Sequence, residues 1–325
     1  MNVTLRSDFD AATAPYRREL VVHCYRMLGA VHEAEDLVQE TLLRAWKARD
    51  RYDEERASLR TWLYRIATNV CLSALQGRER RPLPSGLGVP STDPHAPLVP
   101  DFGVSWLQPL PDSYLGGSEL DPQARVVQRD SVRLALIAVM QLLPPRQRAV
   151  LLLRDVLGFS AAEVAGQLDA STAAVNSALQ RARIALAESA PRQHEYREPD
   201  DRAVQAAIGR YIVAFEAADV ATLVSLLTED AVLEMPPVPL WYRGRVNYGL
   251  FIARVLAMRG TGWRMIPAAA NGQAALVAYS PDGPGTWRLH TLQVMTVTQR
   301  GIARNVVFQD AQVFEVFKLD PVLAG

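Results

Sequence analysis

Lysine is almost missing from this chain. Lys47 and Lys318 are the only two, so nearly every cation is an arginine. Cysteine is as scarce: Cys24 and Cys71 stand alone, with no metal-type spacing. They read as two reduced thiols, and a disulfide-stapled secreted scaffold is excluded. No apolar run approaches the roughly 18 residues that a bilayer crossing demands. The N-terminal stretch MNVTLRSDFDAATAPYRREL lacks the apolar segment of a secretory signal. These absences point to a soluble cytoplasmic protein without a membrane partner. Net charge is missing too, with 35 basic groups balancing 35 acidic ones, which at first argues against nucleic acid.

The distribution of charge reverses that argument. Residues 1–85 carry 14 basic and 12 acidic groups, and residues 125–197 carry 10 and 6. Between them, residues 86–124 carry no basic group and 5 acidic ones: Asp93, Asp101, Asp112, Glu119 and Asp121. Residues 198–325 are nearly neutral, with 11 and 12. Two mildly basic blocks thus flank a purely acidic connector. Arginine suits bidentate phosphate and guanine contacts, although a GC-rich genome produces the same bias.

At 325 residues there is room for two or three domains. Residues 8–80 read as helical, with Leu20, Tyr25 and Leu28 on one stripe. Leu37, Val38, Thr41, Leu42 and Ala45 form a second, and Leu59, Trp62, Ile66 and Val70 a third. From Pro82 to Pro122, nine prolines break every periodicity. This stretch is expected to be an extended linker, 81–124, with Trp106 and Leu107 as its apolar anchor. Helix is expected from Gln123 to Met140, then over Arg146–Leu157, Ser160–Leu168 and Thr172–Ala187. Ser160 and Ser171 stand at the N-cap positions, and Glu163 completes capping-box spacing. A polar stretch, EYREPDD, marks the next boundary. Beyond it come a helix carrying Val204, Ile208, Ile212 and Phe215, short helices at 220–227 and 245–257, and strands through Val232 and Met235 and over 263–269, 273–279, 286–299 and 301–317. Helices first and a run of strands afterwards argue an α+β domain over 200–318.

The segment FSAAEVAGQLDASTAAVNSALQRARIAL holds two helices and a tight turn at Asp169-Ala170-Ser171. Val164, Ala165 and Leu168 face inward on the first helix, and Val175, Leu179, Ala182 and Leu186 on the second. The opposite face of the second helix carries Asn176, Ser177, Gln180 and Arg181, side chains of the types that read base edges in a major groove. Arg183, Arg146 and Arg148 are placed for phosphates, which position a domain without reading sequence. A plain three-helix bundle with a solvated polar face has the same pattern.

The segments HCYRMLGAVHEAEDLVQETLLRAWK and ASLRTWLYRIATNVCLSAL, together with LPPRQRAVLLLRDVLGFSAAEVAGQLDASTAAVNSALQRAR, resemble the two domains of extracytoplasmic-function sigma factors, a branch of the sigma-70 family. The resemblance covers 8–80 and 125–190. It implies that Glu35, Asp36, Leu37, Gln39 and Glu40 meet the clamp helices of core RNA polymerase. Arg60, Thr61, Tyr64 and Asn69 would open the −10 promoter element and hold an extruded base, as flipped bases are held by stacking and edge hydrogen bonds. Ser171, Asn176, Ser177, Gln180, Arg181, Arg183 and Arg148 would meet the −35 element. Trp62 falls on the apolar stripe and reads as core. The acidic connector would thread polymerase channels that attract nucleic acid. The chain has no long N-terminal inhibitory region and no separate helical domain between the modules, which favours this branch and an alternative sigma factor.

Residues 200–318 are similar to SnoaL-like cone domains, in which helices and a curved antiparallel sheet enclose an apolar cavity. The Trp106-Leu107-Gln108-Pro109 motif resembles one found in sigma factors with this fusion, and docking of the linker on the tail domain is implied. Pocket candidates are Glu234, Trp241, Tyr242, Arg243, His290 and Asp310, with Met235 and Trp287 as further walls. The expected fold is therefore multidomain: two all-α sigma domains and one α+β cone. The expected role is promoter-specific initiation, with a tail domain that regulates and does not catalyse. No cofactor or metal is implied, and the sequence names no anti-sigma partner. Two other readings use the same residues: a helix-turn-helix regulator that binds DNA alone, and a SnoaL-type enzyme with a DNA-binding appendage.

Overall fold

The computed structural model describes residues 2–116, 122–189 and 201–325. Glu119, Asp121, His194 and residues 195–200 of the expected connector and boundary lie outside the described residues. The chain forms two compact units. One combines Met1–Arg81 with Ser113–Pro191, and the other combines Pro82–Asp112 with Arg192–Gly325.

The first unit is helical. Its first bundle contains α1 (Asn2–Thr13), α2 (Arg17–Leu28), α3 (Val31–Ala48) and α4 (Leu59–Ala74). Every residue of α2 from Leu20 to Leu28 is buried, so α2 is the central helix. It stops at Gly29, whose φ of 76° is left-handed and whose N–H returns to the Tyr25 carbonyl at 2.7 Å. A side chain there would be strained. The apolar stripe expected on α4 is rotated. Leu63, Tyr64, Ala67, Thr68, Val70 and Cys71 are buried, while Leu59, Trp62 and Ile66 are only half-buried. Because α4 packs on both α2 and α3, its buried arc is centred between them. Trp62 leans on Tyr52 at the margin, with ring centroids 4.9 Å apart.

The helix expected from Gln123 to Met140 is two helices, α5 (Pro122–Asp130) and α6 (Leu134–Met140). At the break, Ser131 Oγ donates back to the Gln128 carbonyl at 2.8 Å and Arg133 pairs with Asp130 at 2.8 Å. Such local side-chain bonds compete with helix continuation. Next come α7 (Pro145–Leu151), prolonged by a π-helical turn over Leu152–Val156, then α8 (Ala161–Gln167) and α9 (Thr172–Ser189). The capping box at Ser160 and Glu163 is formed in both directions. Ser171 Oγ accepts the Ala174 N–H at 3.1 Å, starting α9.

The second unit holds α10 (Arg202–Glu216), α11 (Val220–Ser225), α12 (Arg245–Arg259), α13 (Ala311–Val316) and a seven-stranded sheet. The strands are β1 (Leu227–Met235), β2 (Val238–Arg243), β3 (Arg264–Ala270), β4 (Gln273–Pro281), β5 (Thr286–Thr298), β6 (Gly301–Phe308) and β7 (Val322–Ala324). Their order is β2-β1-β6-β5-β4-β3, with β7 added on β5. The sheet is mixed, not wholly antiparallel as expected, because β1 meets β6 in parallel. Those two strands become neighbours only after the β3–β6 meander has run, and no hairpin joins them. Register shifts at Glu234/Met235, Ala278/Tyr279 and Thr296/Val297 bend the strands. The expected strand over 301–317 ends at Phe308. Asp310 is not mid-strand. It caps α13, its carboxylate accepting the Gln312 N–H at 2.9 Å.

Candidate nucleic-acid interface and C-terminal cavity

On α9 the inward set is as the periodicity requires: Val175, Leu179 and Ala182 are buried. Ser171, Asn176, Ser177, Gln180, Arg181 and Arg183 are exposed, so one helix face gathers the expected base-edge and phosphate groups. Arg183 is also held by Asp155 in a two-pronged pair at 2.9 and 2.7 Å. Arg148 does not belong to this face. It is 3% exposed and donates to the Met27 carbonyl, to Gln141 Oε1 at 2.7 Å, and to the Gln141 and Leu143 carbonyls at 3.1 and 3.2 Å. Burial pushes its pKa down to about 10, which leaves it cationic at neutral pH. Arg146 likewise donates to the Leu168 carbonyl at 2.6 Å.

The four −10 candidates share α4 and differ in environment. Tyr64 is buried, edge-on to His23 and to Phe159, with centroids at 5.1 and 5.7 Å. Arg60 pairs with Glu19 at 3.1 Å and lies over the Tyr64 and Phe159 rings. Thr61 shares a hydrogen bond with Ser58 at 2.9 Å. The Asn69 amide donates to the Arg65 carbonyl at 2.9 Å and to the Gln167 carbonyl at 3.3 Å. Phe159 and Gln167 belong to the second bundle, so three of these four side chains touch it. Arg26 adds a further link through Ser131 Oγ at 2.6 Å. The polymerase candidates lie along α3. Asp36 and Gln39 are exposed, Leu37 and Glu40 are half-buried, and Glu40 is tied to Arg44 at 2.6 Å. Glu35 accepts the Tyr114 hydroxyl.

In the second unit, α12 and the inner faces of β1, β5 and β6 enclose a cavity of about 220 Å³. Phe215, Leu233, Met235, Phe251 and Trp263 supply its apolar lining, and His290, Gln293 and Asn305 its polar groups. Leu98 and Pro100, from the connector, complete the wall. His290 is one expected pocket residue that lines it, and Met235 is one expected wall that does. Burial, with a smaller contribution from the Arg259 charge, pushes the His290 pKa down to about 4, so the ring is neutral at pH 7. Its Nδ1 meets Gln309 at 3.1 Å and its ring meets Trp263 edge to face, with centroids 5.2 Å apart. Glu234, Trp241, Tyr242, Arg243 and Asp310 are not in the wall. Glu234 is fully buried elsewhere, paired with Arg304 at 2.6 Å. Trp241 and Tyr242 hold the connector, Arg243 is exposed, and Asp310 is spent on its helix cap.

Residues 14–81 match the Sigma-70 region 2 family, residues 133–186 the Sigma-70 region 4 family, and residues 208–313 the SnoaL-like domain family. Over 318 residues the chain is 49% identical to the ECF RNA polymerase sigma factor SigG of Mycobacterium tuberculosis (strain CDC 1551 / Oshkosh), spanning 97% of this chain and 84% of SigG. The chain belongs to the extracytoplasmic-function sigma factors. It is an alternative sigma factor that directs transcription by RNA polymerase. It is also 29% identical over 303 residues to the sigma factor SigJ of Mycobacterium tuberculosis (strain ATCC 25618 / H37Rv), spanning 90% of this chain and 87% of SigJ. The crystal structure of the Mycobacterium tuberculosis sigma factor SigJ aligns with a TM-score of 0.63 at 26% identity, covering 95% of this chain and 98% of that one. Among the described residues of this sigma factor, no helix is long and apolar enough to cross a membrane.

The linker of this sigma factor is not a free tether: as the Trp106-Leu107-Gln108-Pro109 motif implies, it is docked on the tail domain. Residues 82–112 lie on the SnoaL-like domain through a ladder of specific bonds. Ser85 N–H donates to Glu234 Oε1 at 2.8 Å, and Ser91 N–H to the Trp241 carbonyl at 2.8 Å. Trp241 Nε1 and the Tyr242 hydroxyl donate to the Gly88 and Asp93 carbonyls, each at 3.1 Å. Arg254 grips the Pro94 and Ala96 carbonyls at 2.9 and 2.8 Å. At the far end, Leu110 and Asn271 exchange bonds at 2.8 and 2.9 Å, and Asp112 accepts the Gly272 N–H at 2.8 Å. Proline removes backbone donors and leaves the carbonyls as acceptors, which is why the domain holds this strand mainly by donating to it. The apolar anchor is Leu107, fully buried, together with Leu110, while Trp106 is only half-buried. One signal for this docking site stood in the sequence. Asn271-Gly272 is a two-residue hairpin turn, with φ of 58° and 64°, the dipeptide type that most strongly marks a hairpin. Its tip is what the linker meets.

Proposed function

We propose that this sigma factor exists in a closed resting form, and that initiation requires its two helical bundles to part and its linker to leave the SnoaL-like domain. In the open form α3 meets core polymerase through Glu35, Asp36, Leu37, Gln39 and Glu40. Arg60, Thr61, Tyr64 and Asn69 engage the −10 element, and Ser171, Asn176, Ser177, Gln180, Arg181 and Arg183 engage the −35 element. The acidic linker then enters the polymerase channels. The observation that carries this reading is that Arg60, Tyr64 and Asn69 are already occupied by the second bundle. A base cannot stack on a ring that is buried against Phe159. The SnoaL-like domain is regulatory and not an enzyme. His290 meets Gln309 and the buried Glu234 pairs with Arg304 outside the cavity, so among the described lining residues no carboxylate stands beside the histidine as an acid–base partner.

Run-off transcription with core polymerase tests the proposal, comparing the full chain, a chain truncated after about residue 200, and a chain with Asp93, Asp101, Asp112, Glu119 and Asp121 reversed in charge. Promoter-selective initiation is expected only with polymerase present, raised by the truncation and lowered by charge reversal. Selective promoter binding by the isolated full chain would favour the helix-turn-helix regulator instead, and unaltered initiation on truncation would defeat the regulatory role.

A further inference from the structure

The cavity of the SnoaL-like domain has three properties that together specify an occupant. First, it is larger than the ~150 Å³ that accommodates benzene in an engineered core, and its lining is mostly carbon and aromatic. Second, its buried polar groups are neutral amides, a hydroxyl and a histidine held uncharged by burial, while the one cation among the described lining residues, Arg259, is exposed at the end of α12. Third, Asn305 in the wall is fully buried and half-used. Its Nδ2 donates to the Tyr248 hydroxyl at 2.8 Å and to Gln293 Oε1 at 2.9 Å. Its Oδ1 has no partner, the one such buried side-chain atom among the described cavity-lining residues. Exchanging the amide oxygen and nitrogen moves the deficit without removing it, since both partners lie on the same end of the amide. An orphaned polar atom at 0% exposure has lost its water and gained nothing in return. A hydroxyl, which both donates and accepts, satisfies either assignment.

We infer that this cavity binds an uncharged, largely apolar small molecule bearing a hydroxyl that bonds the Asn305 amide, and that its occupancy holds the linker in place. The second part follows from the wall itself. Leu98 and Pro100 close the cavity, and the next residue, Asp101, donates its N–H to the Pro237 carbonyl at 2.9 Å. A molecule that contacts both linker and domain favours the state in which both walls are present. The inference deepens the regulatory reading by supplying its signal, but binding stands independently of any effect on transcription.

The probe is 2-naphthol, compared with 2-methylnaphthalene, which matches its shape without the hydroxyl, and with 2-naphthoate, which adds a charge. Binding to the full chain is measured by calorimetry, and linker closure by amide hydrogen exchange at Asp101. 2-Naphthol is expected to bind about tenfold more tightly than 2-methylnaphthalene, the worth of one buried hydrogen bond, and more tightly than 2-naphthoate. At ten times its Kd it should slow exchange at Asp101 about elevenfold, the mass-action factor. Asn305→Leu should erase the difference between naphthol and methylnaphthalene. Val255→Phe, which fills the cavity from α12, should abolish binding of both, so the test survives if the Asn305 variant does not fold. Equal binding of the two neutral probes, tighter binding of naphthoate, or no binding would overturn the ligand class. Binding that leaves Asp101 exchange unchanged would overturn the coupling to the linker. Neither result bears on the truncation experiment, which tests regulation by itself.

Discussion

Arg148 separates a DNA-contacting arginine from a structural one, and its replacement by methionine measures the difference. The guanidinium is buried and makes four hydrogen bonds, three of them to main-chain carbonyls. One of those carbonyls, Met27, lies in the last turn of α2, where no intrahelical donor remains and where a cation is favoured by the helix dipole. Methionine fills the aliphatic volume and supplies no donor. The Met27, Gln141 and Leu143 carbonyls would then be buried without this partner. Breaking one side of a buried charged network costs about 3–5 kcal/mol, less than the sum of its bonds because they act together. For a unit of this size that corresponds to a fall in Tm of roughly 6–20 °C. Calorimetry of Arg148→Met against the parent chain reads it directly. Promoter binding by holoenzyme, measured across salt concentrations, supplies the counter-test. A phosphate contact contributes about one unit to the slope of log affinity against log salt. A variant that melts like the parent but loses about one unit of slope would refute the burial argument and restore Arg148 to the DNA face.

Three further outcomes follow from the same geometry. His23 is fully buried against Thr68 at 2.9 Å, and burial, aided by the Arg26 and Arg60 charges, pushes its pKa down to about 3. The neutral ring therefore stabilises the fold above its ordinary pKa near 6.5, and that contribution is lost as pH falls from 6.5 towards 3. His23→Gln should remove from the stability–pH curve a term on the order of 5 kcal/mol, and parallel curves for parent and variant would contradict it. Leu107→Ala should cost about 2–5 kcal/mol and speed hydrogen exchange at Leu110, whereas Trp106→Ala should do so far less; equal effects would show that Leu107 is not the anchor. On α9, Arg183→Ala should lower holoenzyme affinity for all promoters alike with a salt slope smaller by about one, while Gln180→Ala should relax preference at one −35 base pair by about 1–3 kcal/mol. Unchanged binding in both would remove this face from the DNA interface.

Local signals made the helix-turn-helix legible. Ser160, Glu163 and Ser171 cap as their spacing requires, and Val164, Val175, Leu179 and Ala182 are buried as their period requires, because caps and helical faces are decided within a few residues of chain. The helices-then-strands order of the third domain was legible for the same reason, whereas the sigma-type pairing of the two helical modules was legible only through the family resemblance of their segments. Partner choice was not. Arg148 and Arg183 each close an Arg-X-Arg triplet, yet one is sealed under α2 and the other is exposed. Asp310 reads as a strand residue in sequence because the α13 it caps is only six residues long. The parallel union of β1 with β6, the Glu234–Arg304 pair and the seating of a proline-rich linker on Trp241, Tyr242, Arg254 and Asn271 join residues 70 to more than 150 positions apart. No periodicity reports such contacts. The chain's own pattern determined which segments would be helix or strand and which helix would present Asn176, Gln180 and Arg181. Only the tertiary structure decided which charged and polar groups remain available, because burial and pairing depend on what the distant chain brings alongside.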